Sequence, residues 1–397
     1  MGGVGTSVLA EEFGTPLVVY CRDTVLACAR AYARVDPDSL VVYGTKAFPN
    51  VALLRLLAAE GLGADVSTLG ELEFALRAEV PADRLVFHGN NKADEELRAA
   101  AGAGALVVLD ALDEVPRASA AGVPRVLVRV TPGVEAETHR SIQTAHAESK
   151  FGLAPDDAVE AVRAATAAGL DVAGLHVHIG SQLARPDESL VAVDRLAEVA
   201  LRCKEELGWT PRIFDLGGGL GVRQTLDEEV PDAEGFARAL VQRLRQRWPE
   251  PARVILEPGR SLVGRAGFTL YRVGVVKATA GVTYAAIDGG MSDNPRPQLY
   301  GSRYEALLAN RASEPASGTY RIAGKHCESG DVLIDDVDLP WPRRNDLLAV
   351  PATGAYTLGM ASNYNGVPRP AAVLVAGGNA ELIRRRESLE DLLSFEP

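Results

Sequence analysis

The sequence predicts an α/β chain, a (β/α)8 TIM-like barrel followed by a mainly β, sandwich- or barrel-like C-terminal domain. Two observations carry that prediction. From about residue 40 to about residue 260, short apolar runs alternate with amphipathic stretches rich in Ala, Leu and Glu. Eight such strand–helix units in about 220 residues suffice to close a parallel barrel, with an open doubly wound sheet as the alternative. After about residue 265 the helical periodicity fades, and strand-like runs follow one another between Gly, Pro, Asn and Asp.

The elements follow in order. Leu17-Val18-Val19-Tyr20 is an early strand that precedes the alternating region and is expected to join the β domain by passing beneath the barrel. Barrel strands are expected at Leu40–Tyr43, Ala64–Val66, Leu85–His88, Ala105–Asp110, Arg125–Val130, Val172–His178, Ile213–Leu216 and Arg253–Leu256. Helices are expected at Val51–Glu60, Leu69–Ala78, Asp156–Ala168 and Ser189–Leu207, where apolar residues recur at helical spacing. Tyr271–Lys277, Thr283–Asp288, Tyr320–Ala323, Asp346–Val350 and Ala371–Val375 form the later strands. The expected boundaries are 22–266 for the barrel and 1–21 plus 267–397 for the β domain.

Composition narrows the class. A chain of 397 residues, 47% hydrophobic and 24% charged, has material for two packed cores. A net charge of −12 opposes general binding to nucleic acid or anionic membranes, so small anionic ligands need dedicated arginines. The four cysteines are scattered without metal-ligand or CxxC spacing, as in a reduced cytoplasmic protein without structural disulfides. No basic leader with an apolar core and no membrane-spanning run is visible, and cytoplasm is the expected address.

Barrel chemistry collects at the C-terminal ends of the strands. Lys46, Asp65, His88, Asp110, Arg129, His178, Gly217-Gly218-Gly219 and Glu257 stand there. Lys46, just past an apolar strand, either snorkels to solvent or is desolvated into a nucleophile for a carbonyl. Glycine loops after the seventh strand (Asp215-Leu-Gly-Gly-Gly) and the eighth (Glu257-Pro-Gly-Arg-Ser) suit a phosphate, with Arg260 adding charge. A lysine and a phosphate site at one barrel mouth are the two grips that pyridoxal 5'-phosphate needs, and Glu257 has the right sign to sit against its pyridine nitrogen. His178 is placed to stack on the ring and Ser181 to reach the phosphate. His176 and His178, alternate residues of one strand, make a metal pair the rival reading; the expectation is no metal. In the β domain, His326-Cys327-Glu328-Ser329-Gly330-Asp331 sets a thiol beside a carboxylate, and Arg296 offers a bidentate partner for a carboxylate.

In order along the chain, Tyr43-Gly-Thr-Lys-Ala, His88-Gly-Asn-Asn-Lys, His178-Ile-Gly-Ser-Gln, Asp215-Leu-Gly-Gly-Gly, Glu257-Pro-Gly-Arg, Cys327-Glu-Ser-Gly-Asp, Gly354-Ala-Tyr and Ser362-Asn-Tyr-Asn resemble the motifs of the diaminopimelate decarboxylases. These are pyridoxal-phosphate enzymes with the alanine-racemase/ornithine-decarboxylase fold, and the resemblance spans nearly the whole chain. Thr131-Pro-Gly-Val-Glu, Thr144-Ala-His-Ala-Glu-Ser-Lys-Phe-Gly and Asp288-Gly-Gly-Met-Ser-Asp-Asn look most like the actinobacterial members.

The resemblance implies decarboxylation of meso-2,6-diaminopimelate to L-lysine and carbon dioxide. It implies Lys46 as the Schiff-base lysine and His178 as the stacking residue. Asp65, Ser181, Gly218, Gly219, Gly259 and Arg260 would join the cofactor site, with Glu257 on the pyridine nitrogen and Tyr356 touching phosphate and substrate. Arg260, Arg296, Tyr300, Tyr356 and Glu328 would hold substrate, and Cys327 would return the proton. It further implies a homodimer in which Cys327 and Glu328 enter the partner's site. Ser302-Arg303 stands where many members have a small residue followed by Tyr or His, and Arg140 follows His139 in the loop expected to close over the substrate. Both bear on substrate choice, and the alternative function is a related decarboxylase acting on ornithine, a glutamyl compound or a carrier-bound amino acid. A racemase would want a weaker electron sink than Glu257 implies, and a binding-only homologue would have lost Lys46 or Cys327.

Overall fold

The computed structural model describes residues 2–133, 149–229 and 232–397. Arg140, His139 and residues 144–148 of the Thr144 motif lie outside the described residues. The chain forms two compact units, one of Met1–Ala27, Val222–Glu229 and Leu262–Pro397, the other of Cys28–Gly221 and Val230–Ser261. Residues 222–229 therefore pack with the β-rich unit although they lie between barrel strands in sequence.

Ahead of the barrel lies β1 (Leu17–Cys21). The barrel strands are β2 (Leu40–Gly44), β3 (Gly63–Val66), β4 (Leu85–Phe87), β5 (Leu106–Leu109), β6 (Arg125–Arg129), β7 (Asp171–His176), β8 (Ile213–Asp215) and β9 (Arg253–Leu256). They form a closed barrel in chain order, each pair parallel, and β2 closes on β9 with Leu40 opposite Ile255 and Val41 opposite Leu256. All eight expected strands are present, each within two residues of its expected ends, and the open-sheet alternative is excluded. Strands buried on both faces read as continuous β-branched and leucine runs, because helices cover the outside. Leu40, Val42, Val86, Leu106, Val108, Leu127, Ala173 and Ile255 form one buried cluster.

Local chemistry starts and stops the covering helices. Val51–Ala59 begins on Asn50, whose side chain accepts from Leu53 N, and Leu69–Arg77 begins on Thr68, which accepts from Glu71 N. Asp187–Leu207 ends at Gly208, which adopts the left-handed conformation that a side chain would disfavour.

The other unit is built on a nine-stranded sheet. Its strands are β1 and β10 (Gly267–Thr279), β11 (Val282–Ile287), β12 (Leu307–Leu308), β13 (Gly318–Ala323), β14 (Val332–Leu339), β15 (Leu347–Pro351), β16 (Ala371–Ala376) and β17 (Asn379–Arg384). The order β14-β13-β11-β10-β1-β16-β17 places β1 in the interior, antiparallel to β10 and parallel to β16. The first strand thus does join the β-rich unit, and its all-apolar Leu-Val-Val-Tyr suits a position paired on both sides. Strand β10 pairs with β1 and β15 along its first half and with β11 along its second, across a register shift between Val273 and Val276. Such an irregularity lets one strand serve two cores. One core includes Leu17, Val19, Leu270 and Val373; the other includes Tyr271, Val273, Ile287, Tyr320 and Ile322. Strand β14 was not expected from the sequence. Its Val-Leu-Ile-Asp-Asp-Val-Asp-Leu carries three acids, which an edge strand tolerates because one side faces solvent.

Candidate active site

The barrel unit gathers its charged residues where the strands end. Lys46 sits in a single turn, Thr45–Ala47, directly after β2. Its flanking residues Thr45 and Ala47 are buried, whereas the Lys46 side chain is 54% exposed. The amine is therefore not desolvated by the barrel, contrary to one expectation for a strand-end lysine; it is half open and lies 4.0 Å from Asp65 Oδ2.

Asp65 lies in β3, and from it a cluster of buried charges runs across the barrel. His88 Nε2 lies 3.7 Å from Asp65 Oδ1 and 2.6 Å from Glu257 Oε1. His176 Nε2 lies 3.5 Å from Glu257 Oε2, and its ring meets that of His88 edge-on at 4.9 Å. Asp215 stands opposite His176 in the β7–β8 register. Donor atoms of His88, His176, Asp215 and Glu257 all lie within 4.8 Å of one another, so the four-residue set with metal-ligand spacing includes His176 but not His178.

Burial by itself would raise Glu257, but His88 and His176 hold its carboxyl well below the usual range. Asp215 is pushed well above, first by burial and then by the neighbouring Glu257 charge. The two carboxyls are thus shifted in opposite directions, as expected of acids that share a dry site. Burial lowers His176 to about 3, partly offset by the Glu257 carboxylate beside it. His178 is also held well below its usual value, by burial and then by Lys46.

The glycine loop is shaped by the barrel itself. A Cβ on Gly217 would fall 2.5 Å from Val177 O, one on Gly218 2.1 Å from Glu257 O, and one on Gly219 2.6 Å from Gly180 O. Gly217 and Gly219 also have φ values of +66° and +106°. The Gly217 amide donates to Asp215 Oδ1 and the Gly218 amide to His178 Nδ1 at 3.1 Å, which sets the His178 tautomer with its proton on Nε2. Glu257 N in turn donates to Gly217 O. Beyond Glu257, Gly259 packs against Gly44, and Arg260, 5% exposed, reaches Ser181 Oγ at 3.3 Å.

A second buried chain of charges braces the neighbouring strand ends. Lys92 pairs with Glu114 at 2.9 Å and donates to Gly89 O, while Glu114 also accepts from Asp110 N. Asp110 in turn meets Arg129 at 3.2 Å and accepts from Gly152 N.

In the β-rich unit, Arg296 and Tyr300 share the short helix Arg296–Tyr300. The Arg296 guanidinium lies 5.3 Å from the Tyr300 ring and 6.0 Å from the Tyr356 ring. Tyr356 has φ +57°, an uncommon conformation for an aromatic residue. Cys327 and Glu328 are exposed in the loop before β14. The Cys327 amide donates to Asn365 Oδ1, Tyr364 Oη donates to Glu328 Oε2 at 3.4 Å, and His326 stacks on Tyr364. Beneath them Asp331 accepts from His326 N and Nδ1 and from Met291 N, tying two loops together. The motifs around Cys327 and Ser362-Asn-Tyr-Asn therefore meet in space. Cys21, Cys28, Cys203 and Cys327 are all free thiols.

Sequence reasoning singled out Glu257 but not the residues that hold it. His88 was visible only as a strand-end residue, Asp215 only as the first residue of the glycine loop and His176 only in the rival metal pair; that they converge on Glu257 depends on barrel register. The residues suit pyridoxal phosphate on a specific observation. Glu257 Oε1 is buried and, although close to His88, is too poorly aligned for a hydrogen bond, so an ionised carboxylate is left to meet a protonated ring nitrogen. Lys46, half open on the same barrel, carries the kind of amine that an aldehyde would need.

Residues 22–264 match the family described as pyridoxal-dependent decarboxylase, pyridoxal binding domain. A diaminopimelate decarboxylase of Actinosynnema pretiosum subsp. auranticum is 45% identical over 408 residues, covering 100% of this chain and 92% of that one. The Bacillus subtilis diaminopimelate decarboxylase is 40% identical, covering 100% and 94%. The crystal structure of diaminopimelate decarboxylase from Helicobacter pylori complexed with L-lysine superposes with a TM-score of 0.92 at 30% identity, covering 98% of each chain. No helix among the described residues is long and apolar enough to cross a membrane. Similarity at this level along the whole length, together with the barrel and its strand-end cluster, means that this chain belongs to the pyridoxal-dependent decarboxylases and, within them, to the diaminopimelate decarboxylase family.

Proposed function

We propose that this protein removes one carboxylate from meso-2,6-diaminopimelate to give L-lysine and carbon dioxide, using pyridoxal 5'-phosphate in a cytoplasmic homodimer. The observation that carries the reading is Glu257, a buried carboxylate kept ionised by His88 and His176 across the barrel mouth from Lys46. When bound, the cofactor supplies an electron sink for the carbanion left as carbon dioxide departs.

The remaining work falls to the chain. Lys46 would hold the cofactor through its aldehyde, with Asp65 4.0 Å away to keep the amine in place. Glu257 keeps the ring nitrogen protonated. Neutral His178 offers a flat face for the ring, its orientation set by the Gly218 amide. Gly219, Gly259, Arg260 and Ser181 hold the phosphate; Gly218 contributes by fixing His178 and by letting Glu257 approach. Arg296, with Tyr300 and Tyr356, binds the carboxylate of the substrate's second amino-acid head, and Glu328 its ammonium group. Cys327 returns a proton to the carbon that lost the carboxylate, and with Glu328 it enters the site of a second copy.

The test is release of lysine and carbon dioxide from meso-diaminopimelate with and without added cofactor. Lys46→Ala and Cys327→Ala are each expected to be inactive, whereas mixing them should restore about a quarter of wild-type turnover through hybrid dimers with one intact site. No turnover of meso-diaminopimelate by the wild type would overturn the function. No recovery on mixing would overturn the shared site.

A further inference from the structure

Arg296 is 3% exposed, yet among the described residues its side chain hydrogen-bonds only to a neutral group. Its guanidinium is flanked by the Tyr300 and Tyr356 rings, and its Nη2 donates to Ser302 Oγ at 3.1 Å. Its Nε, also buried, has no hydrogen-bond partner among the described residues. A buried guanidinium is ordinarily paired with a carboxylate, because an isolated charge in a dry site is costly. That leaves the guanidinium suited to a ligand carboxylate, which is best met by a fork whose plane is already fixed.

Ser302 is built to fix that plane. The helix Arg296–Tyr300 ends at Gly301, whose φ of +62° turns the chain back over the helix. The turn brings Ser302 N to Arg296 O at 3.4 Å and Ser302 Oγ to Arg296 Nη2, so backbone and side chain of one residue both return to the arginine. Ser302 itself is only partly buried, so trimming its hydroxyl leaves the helix cap and the core intact.

We propose that Ser302 is a positioning residue that sets the Arg296 guanidinium as a clamp for the distal carboxylate, and so determines how strongly the site prefers ligands carrying that group over diamines lacking it. This rests on the reading of Arg296 as the distal-carboxylate partner. The hydroxyl acts by holding one N–H, so that the remaining N–H groups meet the carboxylate without first being ordered.

The experiment compares L-lysine, which retains the distal carboxylate, with 1,5-diaminopentane, which lacks it, as competitive inhibitors of the holoenzyme. For Ser302→Ala, a roughly ten-fold weaker inhibition by lysine is expected, the low end of what a hydrogen bond to a charged group provides. Inhibition by diaminopentane should stay within about two-fold of wild type on the same reasoning. KM for meso-diaminopimelate should rise in step with the lysine constant while kcat changes little, and Ser302→Thr, which keeps a hydroxyl, should restore both. Equal weakening of both inhibitors, or none of lysine, overturns the proposal. Arg296→Gln separates the two levels. If it abolishes lysine inhibition while Ser302→Ala has no effect, only the role of Ser302 falls; if it leaves lysine inhibition untouched, the reading of Arg296 falls with it.

Discussion

Gly218→Ala tests whether the glycine loop serves the barrel or only a ligand. The added Cβ would lie 2.1 Å from Glu257 O and 2.9 Å from Glu257 C, both backbone atoms of the adjoining strand end. Ordinary contact begins near 3.4 Å, so the strand end or the loop must move by about 1 Å. Neither can yield cheaply, because Glu257 N bonds to Gly217 O and Gly218 N to His178 Nδ1. The movement displaces Glu257 from a 2.6 Å approach to His88 and tilts His178 at the same time. A misplacement of about 1 Å in an active site costs on the order of a hundred-fold in rate. Gly218→Ala should therefore lose roughly a hundred-fold in kcat and hold pyridoxal phosphate more weakly, read by carbon dioxide release and by equilibrium dialysis of the cofactor. Gly102→Ala, where an added Cβ meets nothing within 4 Å, is the control and should behave as wild type. A Gly218→Ala enzyme with wild-type turnover and cofactor affinity would refute the reasoning.

Three further outcomes follow from the structure. Asp293 is buried, accepts from Tyr271 Oη and Gly290 N, and is pushed up to about 7 from 3.8, chiefly by burial. The folded state thus keeps a proton that the unfolded chain releases near 3.8, so this stabilisation is complete below about pH 4 and is lost as pH rises through about 7. Denaturant midpoints at pH 5 and pH 8 should differ less in Asp293→Asn than in wild type, and an unchanged difference would count against the assignment. Lys92→Met leaves Glu114 buried without its cation and should cost about 3–5 kcal/mol, whereas Lys92→Met combined with Glu114→Gln should recover most of it; strictly additive losses in a thermal melt would show the pair to be uncoupled. His88→Phe removes the group that, with His176, holds Glu257 ionised. The holoenzyme should bind cofactor more weakly, and a dissociation constant equal to wild type would show that His88 does not support Glu257.

Much of this molecule is legible along the chain because its signals are local. Continuous apolar runs such as Leu40–Tyr43 and Arg253–Leu256 mark strands covered on both faces, and their alternation with amphipathic helices leaves few ways to close. Strand-end placement then points to Lys46 and Glu257 without any coordinates, and Gly-rich loops after the last two strands mark the same end of the barrel. Strand β14 escaped because an edge strand need not be apolar on its open side, and the attachment of residues 222–229 to the β-rich unit has no local signature. Leu226 N bonds to Glu305 and Arg303 pairs with Asp227, contacts made across roughly eighty positions of sequence.

The sequence by itself determined the barrel, the position of the amine and the carboxylate within it, and the family, since each depends on residue type, spacing or motif. Only the tertiary structure decided what those groups are. Lys46 is half open rather than desolvated because the turn after β2 directs its neighbours inward. Glu257 is held low because four strands bring His88, His176 and Asp215 within a few ångströms of it, and burial and proximity shift it and Asp215 in opposite directions. Arg296 is poised for an anion because Gly301 folds Ser302 back onto it. Protonation state and side-chain orientation are set by neighbours distant in sequence, and the order of residues along the chain does not encode those distances directly.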